Sequence, residues 1–314
     1  MSFIGCGALG IMYASLMLQH LTPEQVRFIA DPARVERYRN SEFYANSDQQ
    51  RFRFVSSDEA AEAGPSDLVI LTVKSYGLDD AIELAQSCVG PDTLILSFLN
   101  GISSEEAIAR AYGPAHVVPC IISGTNATRT EHTVWFSSPG CIFFGPSADT
   151  GPRDLERLAR LFESVAIPFE CKQDIMRTLW WKFMLNVGVN QVSALLRAPY
   201  ALLQSSSDTR YIVEMAMREV CELSVKRGID LGKADIDEAF ATIDALGPEG
   251  LTSMCQDIVA HRRTEVDIFA GMVMRLGREL DVSVPINTFL FHAIKALEEG
   301  QAEHLMTTEV PNSM

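Results

Sequence analysis

The chain has 314 residues, enough for two hydrophobic cores, and its 47% hydrophobic and 21% charged residues exclude a disordered polymer. A formal net charge of −15, with no run of Lys and Arg, excludes the basic stripe that nucleic acid or an anionic membrane would need. Seven cysteines without a C-x-x-C pair fit neither a zinc cluster nor a disulfide framework.

The chain starts on an apolar strand, 2-SFI, with no basic leader region, and no apolar run approaches the ~20 residues that span a bilayer. A cytoplasmic location is therefore expected. From Ser2 to about Gly145, apolar β-branched runs (26-VRFIA, 67-DLVILTV, 93-TLILSF, 116-HVVPCIIS) alternate with helical stretches such as 8-ALGIMYASLMLQ and 77-GLDDAIELAQSC. Runs buried on both faces are how parallel strands read, so the fold class is α/β, an N-terminal Rossmann-type doubly wound sheet. The runs 132-HTVWFS and 141-CIFFG, joined by Ser-Pro-Gly, read as an antiparallel hairpin that ends this sheet. A helix over 153–165 and a short strand, 167-IPFE, precede the domain boundary near Lys172.

This gives a dinucleotide-binding domain over 1–171 and a helical substrate and catalytic domain over 172–314. The second should be all-helical, with helices over 173–196, 206–228, 233–244, 249–262, 264–281 and 286–300. Breaks fall at Gly228, Gly247-Pro248 and Pro285. The final stretch, 305-LMTTEVPNSM, lacks periodicity and is expected to fray or to pack against a neighbour. Apolar faces of this domain would also suit a homodimer.

Gly5-Cys6-Gly7-Ala8-Leu9-Gly10 is a G-x-G-x-x-G between a strand and an apolar helix. Its glycines permit a tight turn, close approach of a pyrophosphate and close helix–strand packing; the bland reading is a structural glycine turn. Global negative charge does not veto such a local phosphate site. Asp31 follows about twenty residues later, where a carboxylate can bond the adenosine ribose hydroxyls and favour NAD over NADP. The competing reading has Asp31 capping the helix that opens at Pro32, while Arg34 or Arg37 meets a 2′-phosphate. Lys74 and Asn100-Gly101 follow two strands at the ends where α/β sheets bind ligands, or else form a solvated loop and an ordinary turn.

In 179-LWWKFMLNVGVNQVSALL, Lys182, Asn186 and Asn190 recur at i, i+4 and i+8 on a helix that is otherwise nearly all apolar. The stripe faces either a polar cleft or solvent, and two asparagines, poor helix formers, favour the cleft. Ser253, Gln256 and Asp257 share the candidate helix over 249–262, and Glu265 opens the helix after it, where it could equally complement the helix dipole. No histidine pair stands at metal-ligand spacing and no nucleophilic triad is visible, so a cofactor carries the hard chemistry.

Taken together, these residues resemble the ketopantoate reductase (2-dehydropantoate 2-reductase) family over almost the whole chain. The resemblance lies in the G-C-G-A-L-G turn, T-V-K at Lys74, N-G at Asn100, L-W-x-K-x-x-x-N-x-x-x-N from Leu179 to Asn190, and S-M-x-Q-D…R-x-T-E-x-D from Ser253 to Asp267. It implies NADPH-dependent reduction of 2-dehydropantoate to (R)-pantoate, a step towards pantothenate and coenzyme A, with substrate bound between the domains. By that resemblance Lys182 is the general acid, Glu265 holds the substrate hydroxyl and Ser253 its carboxylate. Asn100, Asn186 and Asn190 orient substrate and Lys182, and Lys74 helps to close the site. Members that prefer NADPH usually carry Arg where this chain has Asp31, which leaves NADP or NAD as the cofactor. A reductase of another small 2-keto acid and a non-catalytic NAD(P) sensor are the alternatives.

Overall fold

The computed structural model describes residues 1–302, so the expectation for 305–314 lies outside the described residues. Contacts divide the chain into two compact units, Met1–Thr178 and Leu179–Met314.

The first unit is built on a five-stranded parallel sheet of β1 (Ser2–Ile4), β2 (Arg27–Ile29), β5 (Arg53–Val55), β6 (Leu68–Leu71) and β7 (Leu94–Ser97), in the order β5-β2-β1-β6-β7. Side chains alternate across a strand, and both sets are apolar here. Phe3, Phe28, Phe54, Leu68, Ile70, Leu94 and Leu96 pack into one core, while Ile4, Ile29, Val55, Val69, Leu71 and Ile95 pack into another. Helices α1 (Ala8–Met17) and α6 (Pro152–Ser164) contribute to the first core. The second is covered by α3 (Ser57–Glu62), α4 (Leu78–Ala85) and α5 (Ser104–Tyr112). Helix α2 (Pro32–Arg39) follows β2.

Two smaller sheets complete the unit. One orders β4 (Asp48–Gln50), β3 (Phe43–Ala45), β10 (Thr133–Trp135) and β9 (Thr128–Thr130); the other orders β12 (Phe169–Cys171), β11 (Pro139–Phe144) and β8 (Cys120–Thr125). The hairpin expected from 132–137 and 141–145 therefore does not form. Its halves, β10 and β11, lie in different sheets because β11 runs antiparallel to β8 and buries Ile142 and Phe144 in the core beside Cys120 and Ile122. The strand expected at 116–123 also divides. Val117 bridges Ile95, Pro119 has no N–H with which to continue, and β8 starts at Cys120.

The second unit is helical, with no strand among the described residues: α7 (Ile175–Leu196, which begins in the first unit), α8 (Tyr200–Ser205), α9 (Ser207–Lys226), α10 (Lys233–Asp244), α11 (Ser253–Val259), α12 (Ala270–Leu280) and α13 (Pro285–Ala302). Gly188 lets α7 approach α9, since a Cβ there would stand 2.8 Å from Met217 Cγ. Glu219 of α9, 6% exposed, accepts the Ile286 and Asn287 N–H groups at 2.7 and 3.0 Å and so caps α13. The single helix expected over 264–281 is interrupted. A 3-10 turn, Val266–Ile268, precedes α12, because Ala270 N–H donates to Gln191 of α7 at 3.0 Å rather than to a helical carbonyl. Likewise α11 starts only at Ser253, capped by Thr252, whose hydroxyl accepts from Cys255 N–H at 3.1 Å. No helix among the described residues is long and apolar enough to cross a membrane.

Candidate active site

In the first unit, four of the expected residues or turns follow the carboxyl ends of neighbouring parallel strands: the glycine turn after β1, Asp31 after β2, Lys74 after β6 and Asn100 after β7. The connection from β1 leads to β2 on one side, and β6 and β7 lie on the other, so β1/β6 is the topological switch point, where such sheets bind ligands. Gly5 adopts φ +108°, and a Cβ there would lie 2.7 Å from the Thr72 carbonyl carbon. A Cβ on Gly10 would run into the Gly5 carbonyl oxygen and stand 2.7 Å from Thr72 Oγ1. Gly7 is the N-cap of α1 and has no side-chain capping bond. A Cβ on Gly7 would approach only the Thr72 carbonyl oxygen, at 3.3 Å, among the described residues. Its other side is open to a ligand. These glycines thus fit a dinucleotide whose phosphates meet backbone N–H groups.

Asp31 caps α2: Oδ1 accepts from Arg34 N–H at 2.8 Å, and Oδ2 lies 3.3 Å from Arg34 Nε. The capping geometry is present, with Pro32 as the first helical residue. Lys74 is half-buried and precedes a 3-10 turn, Ser75–Gly77; Asn100 is half-buried before Gly101 at φ +91°. Burial pushes the Cys6 thiol up to about 12, partly opposed by the Arg129 charge, so Cys6 stays a neutral thiol at physiological pH.

In the second unit, residues four apart on α7 advance by about 40° around the axis, so Lys182, Asn186 and Asn190 span about 80°. Gly188 and its contact with α9 lie on the other side. Lys182 and Asn186 are half-buried, and Asn190 is 9% exposed. Asn190 Nδ2 donates to Ser253 Oγ at 3.4 Å, bringing two expected residues together. Glu265 is 3% exposed and starts the 3-10 turn before α12. Asp257 is buried against Arg262, with Nε at 2.9 Å, whereas Gln256 donates to the Leu251 carbonyl at 3.1 Å.

The residues that hold this geometry were not singled out in the sequence. Thr72 Oγ1 donates to the Gly5 carbonyl at 2.5 Å and ties β6 to the glycine turn. Gln191, fully buried, donates to Asn287 Oδ1 at 3.1 Å and accepts from Ala270, so α7 is tied to α12 and α13. Thr252 Oγ1 donates to Ser193 Oγ at 3.1 Å and ties α7 to the start of α11. The available signal was a run of polar residues, Asn190, Gln191 and Ser193, on an apolar helix that should bury them.

A glycine turn at the switch point of a parallel sheet, and a helical unit carrying a Lys-Asn-Asn stripe, define an oxidoreductase that uses NADP or NAD. Residues 1–149 match the family described as "Ketopantoate reductase PanE/ApbA", and 174–298 match its C-terminal part; the chain belongs to the ketopantoate reductase family. It is 26% identical over 309 residues to the 2-dehydropantoate 2-reductase of Shigella flexneri, covering 97% of this chain and 96% of that one. The fold is shared with a ketopantoate reductase of Ralstonia eutropha JMP134 (TM-score 0.81, 23% identity, 96% of this chain and 100% of that one). It is shared equally with a D-mandelate dehydrogenase solved with NADH and anilino(oxo)acetate (TM-score 0.83, 24% identity, 96% and 99%).

Proposed function

We propose that the protein reduces 2-dehydropantoate to (R)-pantoate with NADPH or NADH, a step in the synthesis of pantothenate and coenzyme A. The observation that carries this reading is the α7 stripe. A lysine and two asparagines share one face of a largely buried helix, with Ser253 joined to Asn190. Gly5, Cys6, Gly7, Ala8, Leu9 and Gly10 hold the pyrophosphate, and Asp31 and Lys74 hold other parts of the dinucleotide. When bound, the nicotinamide supplies the hydride that reaches C2.

As charge develops on the substrate's carbonyl oxygen, the Lys182 ammonium stabilises it and donates the proton that completes the hydroxyl. Lys182 then regains its proton from solvent, so each turnover consumes one hydride and one proton. Asn186 and Asn190 orient Lys182 and substrate without competing charge, and Asn100 does so from the first unit. Ser253 holds the substrate carboxylate and Glu265 its terminal hydroxyl. Glu265 is the group that separates this substrate from smaller 2-keto acids, which have no hydroxyl to offer it.

The test is initial-rate oxidation of NADPH and NADH with 2-dehydropantoate beside a panel of other 2-keto acids. Preferred turnover of 2-dehydropantoate, lost selectively in Glu265→Ala, is expected. Activity confined to another keto acid, with Glu265→Ala unimpaired, would keep the chemistry and discard the substrate.

A further inference from the structure

Arg129 lies on β9, at the edge of the β4-β3-β10-β9 sheet, yet its Nη1 donates to the carbonyl oxygen of Cys6, inside the glycine turn. Its Nε donates to the Glu131 carbonyl at 2.5 Å. Two carbonyl anchors fix a guanidinium whose charge is permanent, so little side-chain freedom remains to be lost when a ligand arrives. The side chain is exposed, and Nη2 has no partner among the described residues.

The next peptides after Cys6, at Gly7, Ala8 and Leu9, open α1, whose N-terminal N–H groups no side chain caps. A fixed cation and the positive end of a helix therefore share one turn. Burial holds the His132 imidazole below its ordinary value, and the charges of Arg129 and Arg37 add to this against the Glu131 carboxylate. In a chain of net charge −15, this corner carries two arginine charges, opposed in part by the Glu131 carboxylate.

We propose that Arg129 is a phosphate-binding residue of the cofactor site, contacting the dinucleotide pyrophosphate while its Cys6 bond holds the turn in shape. This rests on reading the glycine turn as the dinucleotide site. The probe is ADP-ribose, which carries the pyrophosphate without the nicotinamide, titrated calorimetrically against the wild-type protein, Arg129→Gln and Arg129→Lys at low and high salt. Glutamine keeps a donor for the Cys6 carbonyl and removes the charge. Arg129→Gln should weaken ADP-ribose about tenfold at low salt, Arg129→Lys should recover part of that loss, and the gap should narrow at 1 M salt through screening (about 3 Å Debye length). Equal binding by wild type and Arg129→Gln would overturn the proposal, and so would a gap that ignores salt or that tracks a fall in Tm. Wild-type protein that does not bind ADP-ribose would instead sink the dinucleotide reading itself.

Discussion

The glycine turn and the α7 stripe solve the same problem, placing polar groups beside an apolar core, with opposite materials. At the turn the groups proposed to bind are backbone N–H groups, and the side chains have been removed so that Gly5, Gly10 and Thr72 can touch. On α7 the groups proposed to act are side chains, and the backbone is an ordinary helix held from its other faces by Gly188 against Met217 and by Gln191 against Ala270 and Asn287. The first arrangement fails when an atom is added, the second when a tether is removed.

The largest structural effect should follow from adding one methyl group at the turn. Gly10→Ala meets backbone at Gly5 and the Thr72 hydroxyl, and backbone cannot swing aside as a flexible side chain can. A loss of about 1–3 kcal/mol in chemical denaturation, together with loss of coenzyme binding, is expected. An unchanged denaturation midpoint would mean that the turn is looser than its contacts imply.

On α7 the comparison sharpens between adjacent residues. Gln191→Ala strands Ala270 N–H and Asn287 and should cost about 1–3 kcal/mol in stability. Asn190→Ala removes only a 3.4 Å bond to Ser253 and should lower turnover with a smaller change in Tm. If the two variants exchange these behaviours, the stripe is structural and the tether functional.

Asp31 joins the two materials, since a side chain here organises backbone. Asp31→Ala should cost about 1 kcal/mol through the lost α2 cap. It should also shift the NADPH/NADH ratio of kcat/KM towards NADPH, because a carboxylate repels a 2′-phosphate. A stability loss with an unmoved ratio would leave Asp31 as a cap alone.

The smallest effect concerns Glu105 on α5, which follows the Asn100-Gly101 turn. Burial pushes its carboxyl from an ordinary 4.5 up to about 7, against hydrogen bonds from its own backbone N–H and from Ser104. A raised carboxyl binds its proton more tightly in the folded state, so the stability that Glu105 contributes is full below pH 4.5 and is lost as pH rises to about 7. Glu105→Gln should remove that slope, so its Tm should gain on the wild type at pH 8 and not at pH 4. Parallel Tm curves across this window would show that the carboxyl is solvated.

How much of this was legible follows the same division. The glycine turn could be read because only glycine tolerates the crowding near Gly5 and Gly10, and β1, β2, β6 and β7 because their apolar runs have no polar face. Strand β5 was missed: three residues starting at Arg53 carry no run, and pairing with β2 settles their conformation. The β10 and β11 hairpin failed because local turn chemistry lost to the longer register with β8. The α7 stripe was visible as a break in an apolar pattern, but Gln191 shares that signature, and only its partners on α12 and α13 show it to be a tether. Arg129 was invisible, since Cys6 lies 123 residues away along the chain.

In the proposed division of labour the first unit binds the coenzyme and Lys182 of the second supplies the proton. Single-turnover oxidation of bound NADPH or NADH by 2-dehydropantoate, measured beside coenzyme titration in wild type and Lys182→Ala, tests it directly. The rate should fall by about 10²–10⁴ in the variant, with coenzyme affinity within about twofold of wild type. A variant that keeps its rate, or that loses rate only because it no longer binds coenzyme, would contradict it.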